Sequence, residues 1–230
     1  MSDIELQKLF HEAEQASAIH RWHETSSRRL QEVNDVDFEP IRIHLDTSRL
    51  ESTSNSTNKD KIDWILQEVL PPARDYWQRT LRVRPIQGNL QLNVFELLER
   101  QYCGLESLGP VLLTHISDGI PNTDLVVYVS ATDELCTAST FALALFCNLD
   151  QDTDRPIAGS MNVCLNTIDL ENAGILQLQE SISIVMHELG HVLGFSSNSF
   201  PFFRDDSGEP RVPRPFQFAE VTCVNGENRE

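Results

Sequence analysis

Apolar positions along this chain follow three different spacings, and each spacing predicts a different kind of element. Residues 1–34 are polar, with Leu6, Leu9 and Phe10 forming a thin apolar face, which predicts a helix-rich leader, and we place its boundary at residue 37. From Phe38 the period changes. Ile41, Ile43 and Leu45 alternate with Arg42 and His44, as expected of a half-buried strand. Leu50 to Asp60 is rich in Ser, Thr and Asn and reads as loop, and within it Asn55-Ser-Thr57 is a glycosylation sequon. Ile62, Ile65, Leu66 and Val69 then recur at helical spacing, predicting a helix over 61–77 that Pro71 and Pro72 should break or kink. Short extended pieces are expected over 80–92. Residues 124–131 are the clearest strand, β-branched and aromatic throughout, and belong near the centre of a sheet. The small apolar run 137–147 and the run 157–165 predict two more strands around a turn at 150–156. A second long helix should begin near Leu176, with Ile182, Val185, Met186, Leu189 and Leu193 along one side. Mostly strands with two long helices indicate an α+β fold.

Composition narrows the function classes. The chain has 230 residues and a formal net charge of −17, which argues against nucleic acid or an anionic membrane surface as partner. The longest apolar run, 141–147, is far short of the ~20 residues of a transmembrane helix. The charged start Met1-Ser-Asp-Ile-Glu-Leu-Gln-Lys8 lacks a signal peptide's apolar stretch, and taken literally predicts a cytoplasmic chain. The cysteines point the other way. Cys103, Cys136, Cys147, Cys164 and Cys223 contain no C-x-x-C pair and are open to disulfide formation in an oxidising compartment, where an odd count leaves one thiol over.

The candidate chemistry lies on the second long helix, in Ser183-Ile-Val-Met-His-Glu-Leu-Gly-His-Val-Leu-Gly-Phe195. Residues four apart on a helix are neighbours, with Cβ atoms roughly 5–6 Å apart, so His187 and His191 can turn two imidazole nitrogens onto one Zn²⁺. Glu188 flanks that point without needing to bind, placed to act as general base. The apolar stripe lies on the side opposite the histidines, and Gly194 is the residue type that closes a helix. A helix that merely happened to contain two histidines would not be expected to combine these features.

Several separated segments together resemble the leishmanolysin family of zinc metallopeptidases. They are the helix just described, Gly194-Phe-Ser-Ser197 with Phe202-Phe-Arg-Asp205, Thr123-Asp-Leu-Val-Val-Tyr-Val-Ser130, Arg155-Pro-Ile-Ala-Gly159 leading to Asn162 and Cys164, and Pro40-Ile-Arg-Ile-His-Leu-Asp-Thr-Ser48. The resemblance covers roughly 38–215. It implies a metzincin-like catalytic subdomain over 38–200, a mixed sheet packed on the H-E-x-x-H helix, with 201–230 opening a further subdomain. It also implies one zinc ion per complete site, endopeptidase activity on protein or peptide substrates, proteolysis linked to cell adhesion, and a location at the cell surface or outside the cell. With the odd cysteine count, it implies bridges Cys103–Cys147 and Cys136–Cys164, leaving Cys223.

Departures from the family pattern set further expectations. Ordinary metzincins place a third histidine where this chain has Ser197, whereas leishmanolysin-like enzymes place it beyond an insertion, followed by a methionine turn. No His follows His191 and no Met follows Met186, so the third ligand is expected beyond residue 230. As given, the chain then reads as a fragment of low zinc affinity and no activity, with Leu193, Phe195, Phe202 and Phe203 partly uncovered. His20-Arg-Trp-His-Glu24 resembles the family's propeptide motif, but no cysteine precedes Cys103 to serve as a switch. Two rival readings are a gluzincin-type protease using Glu209 or Glu220 as third ligand, and an adhesion or binding module that has lost its metal.

Overall fold

The structure, a computed structural model, describes residues 38–171 and 174–213, together with Lys8 and the backbone of 221–222 and 228–229. The expected leader and its His20–Glu24 segment, Glu220 and Cys223 lie outside the described residues.

A four-stranded mixed sheet organises the chain. Its strands are β2 (Ile43–Asp46), β4 (Leu125–Ser130), β5 (Ala142–Leu149) and β6 (Pro156–Val163), in the order β2-β4-β6-β5. β2, β4 and β6 run parallel, and β5 pairs antiparallel with β6 at the edge. Short β1 (Glu39–Pro40) pairs with β3 (Arg82–Val83), the one regular strand pair among the extended pieces expected over 80–92.

Burial on both faces explains why β4 is continuously apolar. Leu125, Val127 and Val129 turn to one core with Ile43, Met161 and Val163, while Val126 and Tyr128 turn to a second core with Leu145, Cys147 and Ala158. A strand covered on both sides needs no polar alternation, whereas edge strand β2 keeps His44 exposed. Residues 86–120, with little regular structure, close the second face through Leu90, Leu92, Leu97, Leu108, Val111 and Ile120. Cys103–Cys147 ties that cover to β5, and Cys136–Cys164 ties the loop after β4 to the end of β6, the two pairings implied by the family resemblance.

The first face carries the helices α2 (Lys59–Trp64), α3 (Leu70–Thr80) and α5 (Ile175–Val192). α2 and α3 are joined by a π-helical turn, Ile65–Val69, so Pro71 and Pro72 do not end the helix. The wider turn re-registers the backbone just before them, and both prolines fall in the first turn of α3, where an N–H would lack an intrahelical acceptor. The stretch 50–60 is likewise not all loop. α1 (Ser48–Ser52) takes its start because Leu50 is fully buried there, with Asp46 Oδ1 accepting from Ser48 N and Oγ at the turn of entry. A further short helix, α4 (Leu113–Ser117), lies in the 86–120 cover, and β7 (Val221–Thr222) pairs with β8 (Asn228–Arg229).

An ion pair between half-buried Arg42 and buried Asp124 fixes the sheet's entry. Asp124, 1% exposed, accepts from Arg42 N, Nε and Nη2 and from Ile86 N, at 2.7–2.9 Å. Burial alone would raise the Asp124 pKa, but the Arg42 guanidinium and the two backbone N–H groups outweigh it and hold the carboxyl below its ordinary range.

Candidate metal centre

α5 packs on β5 and β6 through Val185, Leu189 and Val192, with Ile182, Met186 and Leu193 partly buried at its margins. Close approach needs Gly159 on β6, since a Cβ there would stand 2.5 Å from both Leu145 O and Val192 Cγ1. α3 braces the helix from the other side. Trp77 Nε1 donates to Met186 O at 2.9 Å, and the Trp77 ring stacks on Phe195 at 5.9 Å between centroids.

His187 and His191 leave the exposed side of α5 one turn apart. Their rings meet edge to face with Nε2 atoms 3.0 Å from one another. Two nitrogens on one tetrahedral zinc, each ~2.0–2.1 Å from it, stand roughly 3.3 Å apart, so this donor pair fits such an ion. His191 Nδ1 lies 2.9 Å from Phe195 O, and because a carbonyl can only accept, the proton sits on Nδ1 and the Nε2 lone pair is left for a ligand bond. The helix end makes that contact possible. Phe195 N bonds Gly190 O and Gly194 N bonds His191 O, a Schellman closure with Gly194 at φ 98°, which folds the chain back beneath the histidine.

Glu188 completes the cluster from the buried side, at 9% exposure. Burial pushes its carboxyl up to about 8, opposed by a hydrogen bond from the Ala144 N–H of β5. Ligand atoms of His187, Glu188 and His191 all lie within 4.8 Å of one another, and among the described residues no other such group of His, Cys, Asp or Glu forms. The structure thus brings together all three residues singled out in the sequence.

The remaining candidates do not join them. Glu209 sits exposed in a turn, with its backbone N–H bonded to Asp205 Oδ1 and its carbonyl to Asp205 N, outside the cluster. His44 and His115 meet each other beside Asp46 and Tyr128 at the β2 edge. Phe202, expected to be partly uncovered, is instead buried against Phe146 and Leu149, held there as Arg204 pairs with Asp154 and donates to Thr153 O. Phe195 and Phe203 stay exposed, as expected. Three supports carry no sequence signal of their own: the Phe195 carbonyl, Trp77 and the Ala144 N–H.

A family model described as leishmanolysin, peptidase family M8, matches residues 47–207. A leishmanolysin-like peptidase of Drosophila pseudoobscura pseudoobscura is 33% identical over 193 residues, covering 68% of this chain and 28% of that protein. A leishmanolysin-like peptidase of Caenorhabditis elegans is 31% identical over 226 residues, 82% of this chain and 33% of that protein. Leishmanolysin of Leishmania donovani is 30% identical over 146 residues, 64% of this chain and 22% of that protein. The chain therefore spans about a third or less of the length of these relatives. On the match over 47–207, it belongs to the leishmanolysin family of metallopeptidases.

Proposed function

We propose that this chain carries the catalytic helix of a zinc-dependent endopeptidase acting on proteins or peptides outside the cell or at its surface. The observation that supports this most is the pair of Nε2 atoms 3.0 Å apart with the Glu188 carboxylate beside them on one helix. The two disulfides fit an oxidising compartment, and no described helix is long and apolar enough to cross a membrane.

When bound, the ion supplies Lewis-acid polarisation of the scissile carbonyl, acidifies the attacking water, and as a nearby positive charge favours the ionised form of Glu188. His187 and His191 hold it, and Phe195 O fixes the tautomer of His191. Glu188 takes a proton from the attacking water and passes it to the departing amine. Its burial between α5 and β5 raises its affinity for that proton, and the Ala144 N–H orients the carboxylate.

Two imidazoles are one ligand short of the three that usually hold a catalytic zinc. We place the third outside these 230 residues. The 230-residue chain then binds zinc weakly and shows no proteolysis, while a longer chain supplying the next His gains both tight binding and activity.

The test is zinc content and casein hydrolysis for the longer chain and its Glu188→Gln variant. A general base is worth about 10²–10⁴-fold, so the variant should keep its zinc and lose at least 100-fold in turnover. Equal cleavage by the variant rejects Glu188 as the base. Absence of zinc from the longer chain would favour the binding-module reading, and stoichiometric zinc with cleavage from the 230 residues alone would reject a third ligand placed outside them.

A further inference from the structure

We propose that Asn55 is an N-glycosylation site, the acceptor of an oligosaccharide from a lipid-linked pyrophosphate donor. Among the asparagines of the chain it alone is followed two positions later by Ser or Thr, with Ser56 rather than proline between. Sequons are frequent in sequences, so the weight falls on where this one stands.

α1 ends at Ser52 and α2 begins at Lys59, and every residue from Glu51 to Thr57 is exposed. The turn between the helices is held by the amide oxygen of Asn55. Oδ1 accepts from Thr57 N at 2.9 Å, Thr57 Oγ1 at 2.6 Å and Asn58 N at 3.2 Å. Asn58 completes it, its Oδ1 accepting from Asn55 N and its Nδ2 donating to Thr53 O. The nitrogen of Asn55 contributes one long contact, to Thr53 O at 3.5 Å. Glycosylation replaces one hydrogen on that nitrogen. The C–N bond to the anomeric carbon forms, the C–O bond to the pyrophosphate breaks, the amide proton leaves and the lipid pyrophosphate departs. Oδ1 and one N–H remain, so the turn's hydrogen bonds survive the modification.

The position also keeps a glycan clear of the sheet edge that serves the metal cluster. α1 directly follows β2 and packs on β4, whereas α5 packs on β5 and β6 and Glu188 meets β5, the opposite edge strand. Two disulfides within the same chain fit the oxidising compartment in which that donor is found, so this inference rests on the location proposed above.

The test uses the full 230-residue chain carrying a cleavable secretion signal in cultured animal cells. Glycosidase release of N-linked sugar in ¹⁸O water converts an occupied Asn into labelled Asp, and peptide mass spectrometry locates it. The expected result is label at residue 55, with increased gel mobility after release, in chains that carry both bridges. Asn55→Gln and Thr57→Ala should abolish label and shift, and Thr57→Ser should keep them. An unmodified Asn55 in the lumenal chain, bridged or not, overturns the assignment. So does a glycan found solely on chains lacking the bridges, since the fold would then not accommodate it.

Discussion

Glu188 stores free energy at the scale of a single residue. Its folded pKa, about 8, lies above the ordinary 4.5, so the metal-free fold binds a proton more tightly than the unfolded chain does. The stability this proton contributes is complete below pH 4.5 and is lost as the pH rises to about 8. Glu188→Gln keeps the acceptor for Ala144 N–H and has no proton to lose. In chelator, urea midpoints of the two proteins should agree near pH 4 and diverge steadily towards pH 8, the variant being the more stable. Parallel curves over that range would show that burial does not perturb this carboxyl. Saturating zinc should narrow the gap, because an adjacent cation favours the charged carboxylate.

At the scale of elements, the end of α5 decides whether its histidine is correctly aimed. Gly194 at φ 98° sends the chain back so that Phe195 O reaches His191 Nδ1. An alanine there enters a left-handed conformation at a cost of about 1–2 kcal/mol, and its Cβ meets Pro156 Cγ at 3.3 Å. Gly194→Ala should therefore lower the urea midpoint and weaken zinc binding together, with Gly194→Asn milder on both because Asn accepts this conformation more readily. Loss of stability with unchanged zinc affinity would separate the closure from the orientation of His191. The long helical run before β3 gives a complementary lesson. Pro71 and Pro72 are read correctly from the sequence as obstacles to a helix, yet the buried row Ile62, Ile65, Val69, Leu70 and Ala73 spans the junction. Burial of such side chains, about 1.5–3 kcal/mol each, outweighs the strain of one π turn.

For the whole molecule, one disulfide secures the cover that residues 86–120 place over the sheet, and the other secures the loop after β4. That cover has little regular structure, and its ties include Cys103–Cys147, Ser160 Oγ to Cys103 O at 2.8 Å, and the exchange of Asn148 with the backbone of Asn93. The bridges close 44 and 28 residues, which in the chain-entropy model corresponds to about 4 kcal/mol each. Replacing Cys136 and Cys164 together by alanine should cost about 2–4 kcal/mol in urea denaturation, and reduction of the parent should cost more than the loss of one bridge. If reduction leaves the midpoint unchanged, the cover is held by its apolar contacts and hydrogen bonds without help from the bridge.

The sequence by itself determined the elements whose residues declare their own surroundings: the half-polar alternation of β2, the two-sided apolar run of β4, and the amphipathic helix carrying His187, Glu188 and His191. Local periodicity and i, i+4 spacing are properties of neighbours in the chain, so one sequence suffices to read them. The cysteine pairings were legible only through resemblance to a family, because spacing alone leaves several connectivities open. What the tertiary structure decided are the matters that depend on distant residues: the burial of Leu50 that converts expected loop into α1, the burial of Phe202 beside Phe146, and the parallel order β2-β4-β6. The site shows the same division. Its three side chains are contiguous in sequence and were found there, while the Trp77 indole, the Phe195 carbonyl and the Ala144 N–H act through backbone groups or a ring brought in by folding, and backbone groups leave no signature in residue identity.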